Sequence, residues 1–230
     1  MFIPSSPIFF TSMLLLIPAI ILSLYAQFKV KSTFKKYSQV KAVSGMTGSQ
    51  ASRRLLDQAG LSDVAIEVIP GNLSDHYDPR KRVLRLSEAV AGRDSLASLG
   101  VAAHETGHAI QHANGYVPMK IRSAVVPAAS FGSNLGPLIF FAGIFISSFR
   151  PLMTVGIVLF TAAVIFQIVT LPVEFDASSR AMKLLQNNGI VVGDEAKSAR
   201  KVLSAAALTY VAAALMSILT LVRMILISRE

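Results

Sequence analysis

Three polar residues stand inside an apolar run: His104, Glu105 and His108, in Val101-Ala102-Ala103-His104-Glu105-Thr106-Gly107-His108-Ala109-Ile110. On a helix, positions i and i+4 share a face one turn apart, so both imidazoles can reach one metal ion. Glu105 projects from the next position along, beside such an ion and not onto it. A carboxylate placed there can take a proton from a water that the metal activates and pass it to a leaving amine. These residue types at this spacing predict a zinc hydrolase, with one Zn2+ per chain. The competing view is an ordinary amphipathic helix with two surface histidines. Against it, three of the four histidines in the chain (His104, His108 and His112) fall at helical spacing, and residues 96–110 are otherwise apolar or small apart from Ser98 and Thr106. A segment that reads as buried must satisfy its polar groups, and a metal does so.

A catalytic zinc site takes three protein ligands and keeps a fourth position open. No third histidine follows at metzincin spacing, since position 114 is Asn. The candidate is Glu174, in Leu171-Pro172-Val173-Glu174-Phe175-Asp176-Ala177-Ser178-Ser179-Arg180, directly after a long apolar run. A carboxylate at a lipid boundary is costly unless it is paired or bound to a cation. Asp176 is the rival ligand, and an ion pair of Glu174 with Arg180 or the basic loop is the metal-free reading. His112 lies roughly two turns from His104, too far to share its metal, and reads as a supporting or packing residue. His76 and Tyr77 are candidates for stabilising a transition state, with turn formation around Asp75 and Asp78 as the alternative. Arg180 could polarise an oxyanion or pair with Asp176. Tyr116 could reach the site or anchor at a membrane interface.

The elements that must position these groups are largely membrane helices. The chain has 230 residues, 53% hydrophobic and only 15% charged, with a mean hydropathy of +0.56. That composition excludes an ordinary soluble domain. Residues 1–28, 123–149, 151–173 and 202–222 carry no charged side chain, and each run is long enough to cross a bilayer as a helix. Four spans are expected, near residues 8–28, 124–149, 152–171 and 202–222. A cleaved signal peptide is excluded for the first, because Lys29, Lys31, Lys35 and Lys36 follow the apolar run instead of preceding it. Pro127, Ser130, Ser133, Asn134 and Pro137 interrupt the first half of the second span, which is expected either to break or to pack on protein instead of lipid.

Residues 29–122 hold 14 of the 22 Lys and Arg, and residues 174–201 hold five more. Arg150 in a tight hairpin, Arg223 near the end of the last span and Arg229 at the tail are the others. Two spans separate the basic segments, which puts both on one side, and the positive-inside rule makes that side cytosolic. The absence of cysteine excludes disulfides and Cys-ligated zinc. The net charge of +9 fits anionic leaflet lipids. No aromatic–basic interleaving accompanies it, so nucleic acid is not expected as a partner.

Within the basic segment, Thr47 reads as the cap of a helix that ends near Ala59-Gly60. Residues 64–69 and 82–86 read as strands, with Asp78-Pro79-Arg80 as a turn between them. Ser87 or Asp94 introduces the motif helix, and Asn114-Gly115 ends it. The expected fold class is a mainly α integral membrane protein of about four transmembrane helices, with a small α+β zincin-like cytosolic unit: the motif helix plus a short β-hairpin or sheet. The expected organisation is an N-terminal span (1–28), the α+β unit (29–122), a transmembrane hairpin (123–173), a cytosolic helix with the third ligand (174–201), and a last span with its tail (202–230).

The paired motifs His104-Glu105-Thr106-Gly107-His108 and Glu174-Phe175-Asp176-Ala177-Ser178 resemble those of gluzincin membrane peptidases related to HtpX and the CAAX prenyl proteases. More closely, the chain resembles the YugP-like bacterial membrane zinc metallopeptidases over nearly its whole length. Residues 74–79, Val83, Arg85-Leu86-Ser87-Glu88, and residues 104–112, 171–181 and 205–215 carry that match. The resemblance implies a zinc ion held by His104, His108 and Glu174, with Glu105 as the base. One departure stands out. HtpX and thermolysin place an Asp four residues after the ligand Glu, where it orients a zinc histidine, and this chain has Ser178 there. That support must come from Asp176, Ser178 or elsewhere.

The reading that follows is a membrane-embedded zinc endopeptidase of the bacterial inner membrane, with its active site on the cytosolic side. Its partners are the lipid bilayer and a protein or peptide substrate presented at the membrane. The alternatives are a metal-stabilised membrane scaffold or adaptor with weak catalysis, for which Glu105 has no use, and a metal transporter, whose spans would carry ionisable residues that these lack.

Overall fold

In a computed structural model of the chain, residues 7–146 and 151–229 are described, and the hairpin expected at Arg150 lies outside them. The chain divides into two compact units. One comprises residues 1–26, 120–172 and 209–230, and the other residues 27–119 and 173–208. The long helices α2 (Ile17–Tyr37), α7 (Pro151–Asn187) and α8 (Asp194–Ser228) each contribute to both.

The first unit is apolar and helical. A short α1 (Pro7–Thr11) and a 3-10 turn (Ser12–Leu16) lead into α2, and α6 spans Val117–Phe145. Among the described residues, four helical stretches are long and apolar enough to cross a bilayer: Pro7–Tyr37, Val117–Phe145, Pro151–Asn187 and Asp194–Ser228. Its core gathers Phe140, Ile144, Met153, Phe160, Val164, Met224 and Ile227. Phe131, Leu138, Val158 and Ile168 point outward, as side chains facing lipid must.

Of the two outcomes expected for the second span, the break is absent, since α6 runs through both Pro127 and Pro137 and packs on α7 instead. A Cβ at Gly132 would stand 2.0 Å from the Leu159 carbonyl oxygen, and one at Gly156 would meet Phe140 at 2.7 Å. Packing at backbone contact holds a helix through prolines that propensity alone would treat as stops.

The second unit holds the α+β element. Thr47 caps α3 (Gly48–Gln58) through a reciprocal capping box with Gln50. A three-stranded sheet of order β1-β3-β2 follows, from β1 (Ala65–Ile69), β2 (His76–Asp78) and β3 (Val83–Ser87). The two strands expected from alternation are neighbours, but parallel, with Ala65 opposite Val83. Residues 76–78, of which Asp78 was expected to open the turn, form β2, which pairs antiparallel on the far side of β3. Its three residues are too few to show a period, and parallel pairing needs the crossover that this segment supplies. Asp78 still makes its turn, its carboxylate accepting from the Arg80 and Lys81 amides.

A short α4 (Glu88–Ala91) precedes the motif helix α5 (Leu96–Ala113). Ser95 caps α5, accepting from the Ser98 amide, and the helix stops at Asn114 with Gly115 at positive φ. Leu55, Leu96, Leu99, Leu185 and Ile190 form one core, and Leu56, Leu84, Leu86, Val90 and Val173 another. Residues 174–201 comprise the end of α7, a turn with Gly189 and Gly193 at positive φ, and the start of α8.

Candidate metal centre

Fourteen of the α5 residues are buried, including His104, Glu105 and His108. Such a helix must bring its own partners for these groups, and α7 supplies them. Gly107 makes the approach possible: a Cβ there would lie 2.8 Å from the Ala177 carbonyl oxygen. With α7 at backbone contact, Glu174, one turn before Ala177, reaches both imidazoles. Its Oε2 lies 3.1 Å from His104 Nε2 and 3.5 Å from His108 Nε2. The two rings stand nearly perpendicular, with centroids 4.8 Å apart.

One ligand atom from each of His104, His108 and Glu174 lies within 4.8 Å of the others, and all three residues are buried. Bonds of about 2.0–2.1 Å in a tetrahedron put neighbouring donors about 3.3 Å apart. The two measured His–Glu separations bracket that value. Two neutral nitrogens and one carboxylate oxygen form a donor set that suits zinc. The site therefore fits a zinc ion and can hold one.

Around these donors runs a network that fixes which imidazole nitrogen faces inward. Gln111 is fully buried. Its amide nitrogen donates to the Val173 carbonyl at 2.8 Å and to Asp176 at 2.7 Å, groups that only accept. The amide oxygen is therefore the atom 2.9 Å from His108 Nδ1, and an oxygen there requires that nitrogen to carry the proton. Nε2 of His108 is left as the nitrogen able to ligate a metal. Arg180 closes the chain by holding Asp176 through an i,i+4 pair, its guanidinium over the Tyr116 ring. On the other ring, Ser178 Oγ lies 3.2 Å from His104 Nδ1. A hydroxyl thus stands against this ring nitrogen.

Glu105 is buried beside this group. Loss of hydration pushes its carboxyl above the ordinary carboxylate range, against the pull of His104 and His108, and the negative Glu174 adds to the rise. For His108, burial opposes charge, but the hydrogen bond to Glu174 and the field of Glu105 prevail, and the ring holds its proton above the usual range. A metal entering the site would displace that proton.

The remaining candidates separate into two groups. Tyr77 points from β2 onto α5, its hydroxyl 2.9 Å from His112 Nδ1. His76 lies apart: its ring contacts the Ser74 carbonyl and Arg85, which also pairs with Glu67 and Asp78. Alternation along the strand sends Tyr77 to the buried side and His76 to the exposed one. Asp75 binds the amide and hydroxyl of Ser87 at the end of β3.

Residues 12–229 match the family described as "Putative neutral zinc metallopeptidase". The chain belongs to this family. It is also 50% identical over 213 residues to the "Putative membrane protease YugP" of Bacillus subtilis (strain 168), covering 93% of this chain and 94% of that protein. No solved structure matches it. Within this zinc metallopeptidase family member, Gln111 is the functional candidate that sequence reasoning missed. The available signal was its place one turn after His108, on the helix face that carries the motif: an amide on a buried face needs partners.

Proposed function

We propose that this chain is an intramembrane-anchored zinc endopeptidase that cuts membrane or membrane-proximal proteins at the cytosolic face. The observation that carries this reading is the meeting of His104 and His108 of α5 with Glu174 of α7 around one buried point. Zinc held by these three would supply Lewis-acid polarisation of a peptide carbonyl and acidify water toward a pKa of about 7. Glu105, buried beside these ligands, would be the group that holds a proton and passes it to the departing amine. Gln111 holds the His108 imidazole in the tautomer that the ion requires, and Ser178 stands against His104 Nδ1. The exposed edge of β2, next to α5, can take an extended substrate by strand addition.

Glu174 follows an uncharged run of more than 20 residues, which favours substrates presented at the membrane surface. A scaffold that merely stores structural zinc has no use for a buried, costly carboxylate at Glu105, and the hydrolytic reading accounts for it. Comparing protein termini in membranes from cells carrying the parent chain or Glu105→Gln tests the activity. Termini lost in Glu105→Gln identify the cuts. Identical sets from cells that express both chains equally would overturn the hydrolase reading.

A further inference from the structure

Away from the metal centre, the second unit contains an open cleft of about 710 Å³ between the basic ends of two long helices. Helix α2 lines it with Lys29, Thr33, Lys36 and Tyr37, spaced as one helix face. Helix α8 faces these with Lys197, Arg200, Lys201, Ser204, Ala205 and Leu208, again one face. Five cations converge, with no carboxylate in the lining. Lys197 is occupied by Asp194 at 2.8 Å. Lys29, Lys36, Arg200 and Lys201 make no ion pair among the described residues. Like charges gathered this way repel unless an anion joins them.

The composition of the cleft narrows the anion. Lys29 is the first charged residue after the uncharged residues 1–28, and Lys201 is the last before the uncharged residues 202–222. Thr33, Ala205 and Tyr37 are buried, and Leu208 is half-buried, so the lining grades from cationic to apolar. Free phosphate would use only the cationic part. A phospholipid uses both, its phosphodiester on the Lys and Arg groups and its glycerol and first methylenes against Ala205 and Leu208. The volume falls within the range of small-molecule sites, about 300–1,000 Å³.

We propose that this cleft binds the headgroup of an anionic phospholipid, one molecule per chain, as a site distinct from the metal centre. The phosphodiester sits among Lys29, Lys36, Arg200 and Lys201, with the hydroxyls of Thr33 and Ser204 as further donors. Lys31 and Lys35 lie on other faces of α2 and outside the cleft, so they supply the general positive field without belonging to the site. That difference separates a built site from a merely basic surface.

The test uses the full chain in neutral detergent, titrated with phosphatidylglycerol or phosphatidylcholine and read by native mass spectrometry. Binding of one phosphatidylglycerol, with phosphatidylcholine at least tenfold weaker, is expected. Lys29→Gln with Lys36→Gln should weaken phosphatidylglycerol binding by about tenfold or more, and Arg200→Gln with Lys201→Gln should do the same from the opposite helix. Lys31→Gln with Lys35→Gln removes equal charge at the same level and should change binding less than threefold. Thermal unfolding of each variant identifies any that has not folded, and the pair on the other helix then decides the question. Equal losses from cleft and control pairs overturn the site in favour of diffuse surface attraction. Displacement of the lipid by equimolar inorganic phosphate would make the ligand a soluble anion and overturn the lipid assignment. Equal binding of phosphatidylcholine would overturn the role of the cations.

Discussion

Gln111 offers the sharpest test of how the centre is held. Replacing it with Met keeps length and volume while removing all three hydrogen bonds: to His108 Nδ1, to the Val173 carbonyl and to Asp176. The bond to a carbonyl is worth about 1 kcal/mol and that to a carboxylate about 1.5–3 kcal/mol. Because Gln111 is fully buried, no water replaces them at once, and a loss of about 2–4 kcal/mol in folding stability is expected. The effect on metal is separate. With Nδ1 of His108 unsupported, the ring can turn or change tautomer, and zinc affinity should fall about 10–100-fold. Zinc competition against a chelator of known affinity, alongside thermal unfolding of the metal-free chain, resolves the two effects. Gln111→Glu restores an acceptor for His108 but turns an oxygen toward Asp176. It should regain zinc affinity to within about tenfold of the parent while remaining destabilised. A folded Gln111→Met protein that binds zinc as tightly as the parent would refute the tautomer argument.

The ligand set is tested by elemental analysis: Glu174→Ala should lose most of its zinc, whereas Asp176→Ala, whose carboxylate bonds Gln111 and Arg180, should keep it with an affinity lowered about tenfold. The reverse result would make Asp176 the third donor. Burial raises the Glu105 carboxyl above its ordinary value, so ionising it costs the metal-free fold stability. Its penalty is absent below the unfolded value near 4.5 and grows as pH rises toward the folded one. Glu105→Gln should therefore raise the unfolding temperature of the metal-free chain at neutral pH by a few degrees and leave it unchanged in acid; equal temperatures at pH 7 would contradict that assignment. Cysteines introduced at Ser44 and Gln186 should react with impermeant reagents only after the membrane is opened, and one at Ser228 in intact cells. Labelling of Ser44 and Gln186 from opposite sides would rule out a centre shared by α5 and α7.

Local signals made much of this legible beforehand. Thr47 announces its helix cap, Asn114-Gly115 ends α5, and uncharged runs mark the apolar helices, because each rests on neighbours within a few residues. What depended on distant partners was hidden. Residues 76–78 become a strand only because β3 offers them an edge, and the same strand accepts β1 in parallel. Prolines 127 and 137 read as interruptions until the contact of Gly132 with Leu159 is known. At the candidate centre, the motif and Glu174 stood out by residue type. Gln111 did not, since an amide reveals its role only once Val173, Asp176 and His108 surround it.

The contact between Gly107 and Ala177 has one more consequence. It fixes the separation of α5 and α7 by main chain meeting main chain, so the spacing of the two histidines from Glu174 does not depend on an ion drawing them together. In small zinc modules the metal is the fold's keystone, and its removal is denaturation. Here a glycine contact and an amide network set the spacing of the candidate ligands. Stripping metal from the full chain is therefore expected to leave its fold in place.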